Sequence, residues 1–389
     1  MKKMEEKYSL CALNRIFGFE PKVAHALISH VGSASAIFSL APKDIDAILG
    51  PWSKYKGRIC PRVLDEAAEE IERLKGSGIY FLGHDEDGYP ELLNECEDAP
   101  IGLYIRSSTP PDELFGVRRK IAIVGTRDIT PYGTEWCSRI VQSFGRSSEK
   151  PLIVSGLALG TDICAHQEAM ECGLPTIGVM ATGPEAVYPY RHKAFAERMV
   201  STPGCALITD YPPGTAPLAI HFLRRNRIIA GLSDSTILIE SRIKGGGMMT
   251  ARLAFSYNRE VYALPGRVDD SRSQGCNLLI KSKIAEAIDS VEGLNESMGI
   301  NMTSGKKAIS DIDLIKSIFN NTSTPGLLQD MATLLTTIRK NRGINLDDLA
   351  NLTGFGYSRT SQLTGMLEME GIISMDLLQR CTFNIRKSR

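Results

Sequence analysis

The spacing of apolar positions divides the chain into four stretches. Across residues 1–78 apolar side chains recur three and four apart, at Leu10, Leu13, Ile16 and Phe17, then at Ala24, Leu27, Ile28 and Val31. That period lines one face of a helix, so a small N-terminal helical domain is expected. From Gly78 the pattern changes to short, nearly continuous apolar runs rich in β-branched residues: Ile121–Val124, Leu152–Val154, Thr176–Met180, Ala206–Ile208, Thr236–Ile239 and Val261–Leu264. Helical stretches separate them, at Pro131–Gly145, Asp162–Cys172, Arg191–Val200 and Ala219–Gly231. Strands without a polar face, alternating with helices, predict a mostly parallel sheet covered on both sides. The fold class over 79–298 is therefore α/β, a doubly wound Rossmann-like sheet, which Ile79–Leu82 and Leu103–Ile105 extend. Residues 299–328 are rich in Ser, Thr and Asn and read as a linker, with one short helix at Ile312–Phe319. Residues 329–389 then offer three helical runs, a strand at Ile372–Met375 and a partner at Cys381–Ile385. Three helices and a hairpin predict a winged helix-turn-helix domain, with Gly354-Phe355-Gly356 as the turn and Ser358–Glu370 as the recognition-like helix.

Composition narrows the class. A chain of 389 residues exceeds one ordinary domain. Forty-five basic residues balance forty-five acidic ones, which excludes a generally basic DNA-coating protein and makes any nucleic-acid surface local. Nine scattered cysteines without a Cys-x-x-Cys pair favour reduced thiols over a disulfide framework. The opening MKKMEEKYSL has no apolar run, and no stretch of about 18 apolar residues occurs. A cytoplasmic protein without a membrane partner is the expectation.

Charge is concentrated at His221–Lys283, where eleven Lys and Arg stand against five Asp and Glu. Arg224, Arg225 and Arg227 precede the Thr236–Ile239 run, which leads into Lys244-Gly245-Gly246-Gly247 and a helix expected to start near Thr250. Ligands of doubly wound sheets bind beyond the carboxyl ends of the strands, where strand order reverses. Three loops fall there: Gly125-Thr126-Arg127, Ser155-Gly156-Leu157 running on to Asp162, and Lys244–Gly247. Glycine lets backbone N–H groups approach a ligand, Thr126 and Ser155 add hydroxyls, Arg127 can grip a phosphate with two N–H groups, and Lys244 is a mobile point charge. Polyanion binding is the function this composition favours. By helical spacing Arg224 and Arg227 share a face while Arg225 points elsewhere, toward carboxylates. Asp162 reads as a helix N-cap, and His166 as a structural partner to it. Tyr188-Pro189-Tyr190 fits stacking or a turn, while Phe222, Phe255 and Tyr257 fit the core unless one lies beside the loops. The six histidines show no triad and no metal spacing, so no catalytic residue, metal or cofactor is expected.

Taken in order, IAIVGTRDITPYG (121–133), VSGLALGTDICAHQEAM (154–170), TIGVMATGPEAVYPYRHKAF (176–195), ITDYPPGTAPLAIHFLRRNRIIAGLSDSTILIE (208–240), MMTARLAFSYNREVYALPG (248–266) and SQGCNLLIKSKIAEAI (273–288) resemble the DprA/Smf family of bacterial DNA-processing proteins. The resemblance implies an extended Rossmann fold that binds single-stranded DNA, protects incoming DNA during natural transformation and assists loading of the RecA recombinase. It also implies a homodimer through the Rossmann domain. By motif, Gly125, Thr126 and Arg127 would meet backbone phosphate. Ser155, Gly156, Leu157, Arg224, Asn226 and Arg227 would line the groove, and Lys244, Gly245, Gly246 and Gly247 would close it. The N-terminal helices, with a glycine turn at Gly32, resemble helix-hairpin-helix or SAM-like modules, although a helical domain without a ligand fits equally. One departure stands out: where the family has Ser-Gly-Ser-Leu-Ile-Thr-Ala, this chain has Gly245-Gly246-Gly247-Met248-Met249-Thr250-Ala251, two hydroxyls fewer.

The alternative is a nucleotide hydrolase on the same fold, resembling the phosphoribohydrolases whose Gly-Gly-x-Gly-Thr-x-x-Glu loop supplies a catalytic acid. Ala251, Arg252 and Leu253 follow Thr250 here, with no carboxylate, and Glu240 reads as a structural acid. A transcriptional regulator is disfavoured, because Ser358–Glu370 carries one cation, Arg359, against Glu368 and Glu370.

Overall fold

Five helices open the chain in the computed structural model, which describes residues 2–50, 52–300, 311–319, 324–341, 343–376 and 378–383. They are α1 (Lys2–Phe17), α2 (Pro21–Val31), α3 (Ala34–Phe38), α4 (Pro42–Leu49) and α5 (Pro61–Lys75). Proline stands at the first position of α2, α4 and α5, where its fixed φ suits the helix and its missing N–H is not needed. Gly32 ends α2 at φ 104°, a conformation that side chains with a Cβ avoid. Strands β1 (Ile79–Gly83) and β2 (Gly102–Ser107) follow, antiparallel, with α6 (Glu91–Asn94) between them. Leu10, Leu13, Phe17, Leu27, Ile37 and Ile71 of the helices share one buried core with Phe81, Ile101 and Tyr104. The change of sequence pattern at residue 78 is thus crossed by a continuous core, and Met1–Met302 forms one compact unit.

The sheet continues through α7 (Pro111–Phe115), β3 (Lys120–Val124), α8 (Pro131–Gly145), β4 (Leu152–Ser155), α9 (Thr161–Glu171), β5 (Thr176–Val179), α10 (Lys193–Ser201) and β6 (Cys205–Thr209). After these come α11 (Ala219–Gly231), β7 (Ser235–Leu238), α12 (Gly246–Ser256), β8 (Glu260–Ala263), α13 (Gln274–Lys281), β9 (Glu286–Ala287) and α14 (Val291–Ser297). Strand order is β1-β2-β6-β5-β4-β3-β7-β8-β9. All neighbours from β6 to β9 run parallel, and β2 alone runs against the rest.

Side chains of period two explain the two layers. Ile121 and Ile123 of β3 join Ile140, Val141 and Phe144 of α8 on one face, while Ala122 and Val124 join Ile228 and Ile229 of α11 and Ala251 and Ala254 of α12 on the other. Burial of each large aliphatic side chain contributes about 1.5–3 kcal/mol. This α/β, Rossmann-like sheet is the fold the apolar runs predicted. One boundary differs: α12 starts at Gly246 and not near Thr250. Glycine is a poor helix former in isolation, but here Gly247 must pack within reach of β3, as described below.

Thr303–Arg389 forms a second compact unit. It contains α15 (Asp311–Phe319), α16 (Pro325–Lys340), β10 (Ile344–Asn345), α17 (Leu346–Thr353), α18 (Tyr357–Met369), β11 (Ile373–Met375) and β12 (Arg380–Phe383). The strands pair antiparallel in the order β10-β12-β11. Leu314, Ile315 and Phe319 of α15 are buried with Leu335, Ile338, Leu349, Leu363 and Leu367. The short helix read inside the linker therefore belongs to this core, and α16 begins before residue 329. Residues 301–310 of that linker, and 384–385 of the last expected strand, lie outside the described residues. Among the described residues no helix is long and apolar enough to cross a membrane.

Candidate functional site

The chain enters the parallel sheet at β3, lays β4, β5 and β6 to one side, then returns to place β7, β8 and β9 on the other. Order reverses between β3 and β7, whose carboxyl ends are paired through Val124 and Leu238. In doubly wound sheets such a reversal is where ligands bind, outside the carboxyl ends of the strands. Close backbone packing there requires glycine. A Cβ on Gly125 would come 2.4 Å from the Thr161 hydroxyl and 3.0 Å from the Glu240 carbonyl oxygen, and one on Gly247 would come 3.2 Å from the Gly125 Cα.

The loop after β3 is pinned on two sides. Glu240, 1% exposed at the end of β7, accepts the Thr130 amide at 2.9 Å through Oε2 and its hydroxyl at 2.5 Å through Oε1. Thr130 in turn caps α8, its Oγ1 accepting from the Gly133 amide at 3.1 Å. A carboxylate beside a helix N-terminus is also favoured by the helix dipole. On the other side the Thr126 carbonyl accepts the Thr161 amide at 3.1 Å. Thr126 Oγ1 accepts from the Asp128 amide at 3.2 Å, so this hydroxyl serves the turn. Arg127 stands exposed at the tip, its guanidinium 5.3 Å from the centre of the Phe222 ring. Tyr188 meets Phe222 edge-on at 5.3 Å, and Tyr190 is 77% exposed.

The loop after β4 turns its side chains inward. The Ser155 hydroxyl is fully buried and donates to the Ile123 carbonyl at 2.6 Å. Leu157, at φ 58°, buries its side chain with Met180, Met199 and Leu207. Gly156 presents its carbonyl to Arg225 Nη1 at 2.5 Å, and the same nitrogen donates to the Val179 carbonyl. A Cβ on Gly156 would come 2.5 Å from that guanidinium. Burial lowers Arg225 to about 10, partly offset by Asp162. Asp162 lies in the first turn of α9 rather than at its N-cap, and accepts from the Ala158 amide at 3.3 Å. Burial raises its carboxyl, with Arg225 opposing. His166 pairs with the Thr176 hydroxyl at 2.7 Å and not with Asp162.

The arginine cluster also divides. Arg227 is buried, donating to the Asp98 carbonyl at 2.5 Å and pairing with the Asp210 carboxylate. Asn226 is 8% exposed. Both side chains are therefore largely withdrawn from solvent on α11. Arg227, not Arg225, is the arginine with a direct carboxylate partner. Arg224 lies at the surface, yet its guanidinium donates to the Phe19 carbonyl and covers the Phe19 ring at 4.6 Å.

Lys244 is exposed, followed by Gly245 as N-cap and Gly246 in open space at the start of α12. The first-turn N–H groups of a helix lack intrahelical acceptors, so this end suits an anion. The elements that remain outward are thus Arg127, Lys244, the α12 N-terminus and an aromatic group of Phe222, Tyr188 and Tyr190. Phe222 is the residue that sequence reasoning assigned to the core. Its only signal was its place in the helix of the arginine cluster, beside the loops. Phe255, 51% exposed, is likewise not core, while Tyr257 is held by Asp98 at 2.7 Å.

Residues 80–299 match the family model described as DNA recombination-mediator protein A. Protein Smf of Synechocystis is 36% identical over 229 residues, covering 59% of this chain and 56% of that protein. The DNA processing protein DprA of Streptococcus pneumoniae is 34% identical over 245 residues, covering 61% and 83%. The match thus spans little more than half the length of the Synechocystis relative. Among solved structures, the S. pneumoniae DprA aligns with a TM-score of 0.59 at 28% identity, over 75% of this chain and 97% of that one. A Helicobacter pylori DNA processing protein A, described for its single-stranded DNA binding mode, aligns with a TM-score of 0.50 at 28% identity, over 57% and 95%.

Proposed function

The chain belongs to the DNA recombination-mediator protein A family, and on that premise we propose that it binds single-stranded DNA across the carboxyl ends of β3 and β7. The observation that carries the reading is Arg127, exposed on a loop pinned from both sides and seated over Phe222. A phosphate held by Arg127, Lys244 and the N-terminus of α12 leaves the neighbouring base within reach of the Phe222 and Tyr188 rings. Only an unpaired base can offer its face to an aromatic ring, so stacking selects single strands while the phosphate contacts remain indifferent to sequence. Each neutralised phosphate lowers log affinity by about 0.7 per unit of log salt. The H. pylori relative, described for its single-stranded DNA binding mode, supports this assignment by name, and the conformation of the β3 loop supports it by chemistry.

In the cell, the reading extends to protection of incoming DNA in natural transformation, assistance in loading the RecA recombinase and a homodimer through the Rossmann domain, all in the cytoplasm. The helix–strand order of the C-terminal unit supports a winged helix, and the N-terminal helices a SAM-like or helix-hairpin-helix module. The domains would run 1–78, 79–298 and, with α15 and the start of α16 counted in the last core, 311–389. Against nucleotide hydrolysis stands Glu240, whose carboxylate oxygens are both engaged by Thr130. The test is anisotropy of a labelled oligonucleotide over a range of salt, with duplex as competitor and base release from nucleoside monophosphates as a parallel assay. Salt-sensitive binding that prefers the single strand is expected. No binding at low salt, or release of base, would overturn the proposal.

A further inference from the structure

The segment joining α4 to α5 carries chemistry that the site above does not use. Residues 50–62 read GPWSKYKGRICPR, with Lys54, Lys56, Arg58 and Arg62 and no acid, in a chain of zero formal charge. Two buried side chains fix its course. Tyr55 and Ile59 are each 5% exposed within the N-terminal core, and the Tyr55 ring lies 4.4 Å from that of Phe17. The Tyr55 hydroxyl donates to Glu20 Oε2 at 2.9 Å. Between and around these anchors Lys54, Lys56 and Arg58 point outward, and Trp52 is 95% exposed. Tryptophan is among the most buried residues on average, so an indole left in water on a segment with four cations marks a binding surface. The complementary partner is anionic and offers flat apolar faces, which describes unpaired nucleic-acid bases on their phosphate backbone.

The loop is also linked to the switch-point site by direct contacts. Lys54 pairs with Glu20, the neighbour of Phe19. Phe19 lies under Arg224 and 5.4 Å from the His221 ring. The next residue of α11, Phe222, lies under Arg127. Carboxylates do face the loop's cations: Glu20 for Lys54, Asp46 for Lys56 at 3.5 Å and Glu66 for Arg62 at 2.9 Å. Such exposed pairs are weak and exchange readily for phosphate.

We propose that the Trp52 loop is a second single-strand contact, taking a base on Trp52 and flanking phosphates on Lys54, Lys56 and Arg58. It continues the path of a strand that leaves Phe222 past Arg224 and Phe19. The inference rests on the proposed switch-point site.

The sequence has two tryptophans, so Trp136→Phe in the full chain leaves Trp52 as the only indole reporter. Oligothymidines of about 6 and about 24 nucleotides fall within and beyond the roughly 4–16 nucleotides that one binding groove covers. The longer should quench Trp52 emission and the shorter should not, while anisotropy reports binding of both. Trp52→Ala should weaken the longer oligonucleotide roughly five- to hundredfold and leave the shorter unchanged, as expected for one lost base stack. Binding without quenching, or equal affinities in Trp52→Ala and the parent, would overturn this proposal alone. Quenching by phosphatidylglycerol vesicles with no response to either oligonucleotide would also overturn it, in favour of a membrane surface. No binding of either length at low salt would remove the switch-point reading and this inference together.

Discussion

Arg224, Arg225 and Arg227 occupy one turn of α11 and meet three different surroundings: a phenylalanine of the turn between α1 and α2, two backbone carbonyls and a buried carboxylate. Substitutions should therefore separate. Arg127→Ala and Lys244→Glu are expected to leave the unfolding midpoint unchanged and weaken oligonucleotide binding alike for all sequences. The salt slope of the alanine variant should fall by about 0.7 for one lost phosphate. Phe222→Ala should weaken binding of single strands by about 1–3 kcal/mol without changing that slope. Arg227→Ala should instead lower stability, by about 3–5 kcal/mol, because Asp210 is left charged and buried without its partner. Denaturant unfolding beside anisotropy measures both effects; loss of binding by Arg227→Ala at full stability would return that residue to the groove. At this scale the sequence announced positive charge and helical spacing. It did not announce which arginines face water, because α11 meets the sheet, the segment before β2 and the Phe19 turn on different sides.

At the scale of elements, the Arg127 loop is shaped by β7 and α9 as well as by its own residues. Glu240 reaches from the end of β7 to the N-terminus of α8, so two elements 110 positions apart share one cap. Glu240→Ala should cost about 1–2 kcal/mol, the range of a lost N-cap, and should speed hydrogen exchange at the Gly133 amide. DNA affinity should fall with it although Glu240 touches no phosphate. A variant with rapid exchange and unchanged affinity would show that Arg127 does not depend on this tether. The helices Pro131–Gly145 and Ala219–Gly231 were legible to the residue, since Thr130-Pro131 marks one start and apolar periodicity the other. The start of α12 was not. Three glycines read as loop, but the approach of Gly247 to Gly125 makes helical glycine the residue that fits.

At the scale of the whole molecule, buried titratable groups beneath the β4 loop couple stability to pH. His166 is fully buried, and burial, with repulsion from Arg225 and His192, pushes its imidazole down to about 3. Because the folded value lies below the ordinary 6.5, the unfolded chain takes the proton first as pH falls. The contribution of His166 is thus complete above pH 6.5 and is lost progressively below it, at about 1.4 kcal/mol per pH unit. Asp162 and Asp210, raised by burial, act with the opposite sign, so the informative quantity is a difference. His166→Asn retains a group that can pair with Thr176 and should shrink the stability loss between pH 6.5 and 5.5 by roughly 1 kcal/mol. An identical loss in both proteins would mean that His166 is not the titrating group.

What the sequence determined by itself was the α/β class, the order of nearly every strand and helix, the place of the reversal loops and the family. These depend on local periodicity, on caps and on the order of motifs, all of which are properties of neighbouring residues. The tertiary structure decided which candidates reach solvent. It turned Ser155, Leu157 and Arg227 inward, brought Phe222 beneath Arg127, set Glu240 on a helix 110 residues away, and ran the N-terminal core across residue 78 into β1 and β2. A strand end exposes one side of a loop and buries the other, and which side is which depends on the elements packed against it. Distant segments set that choice, and no local pattern records it.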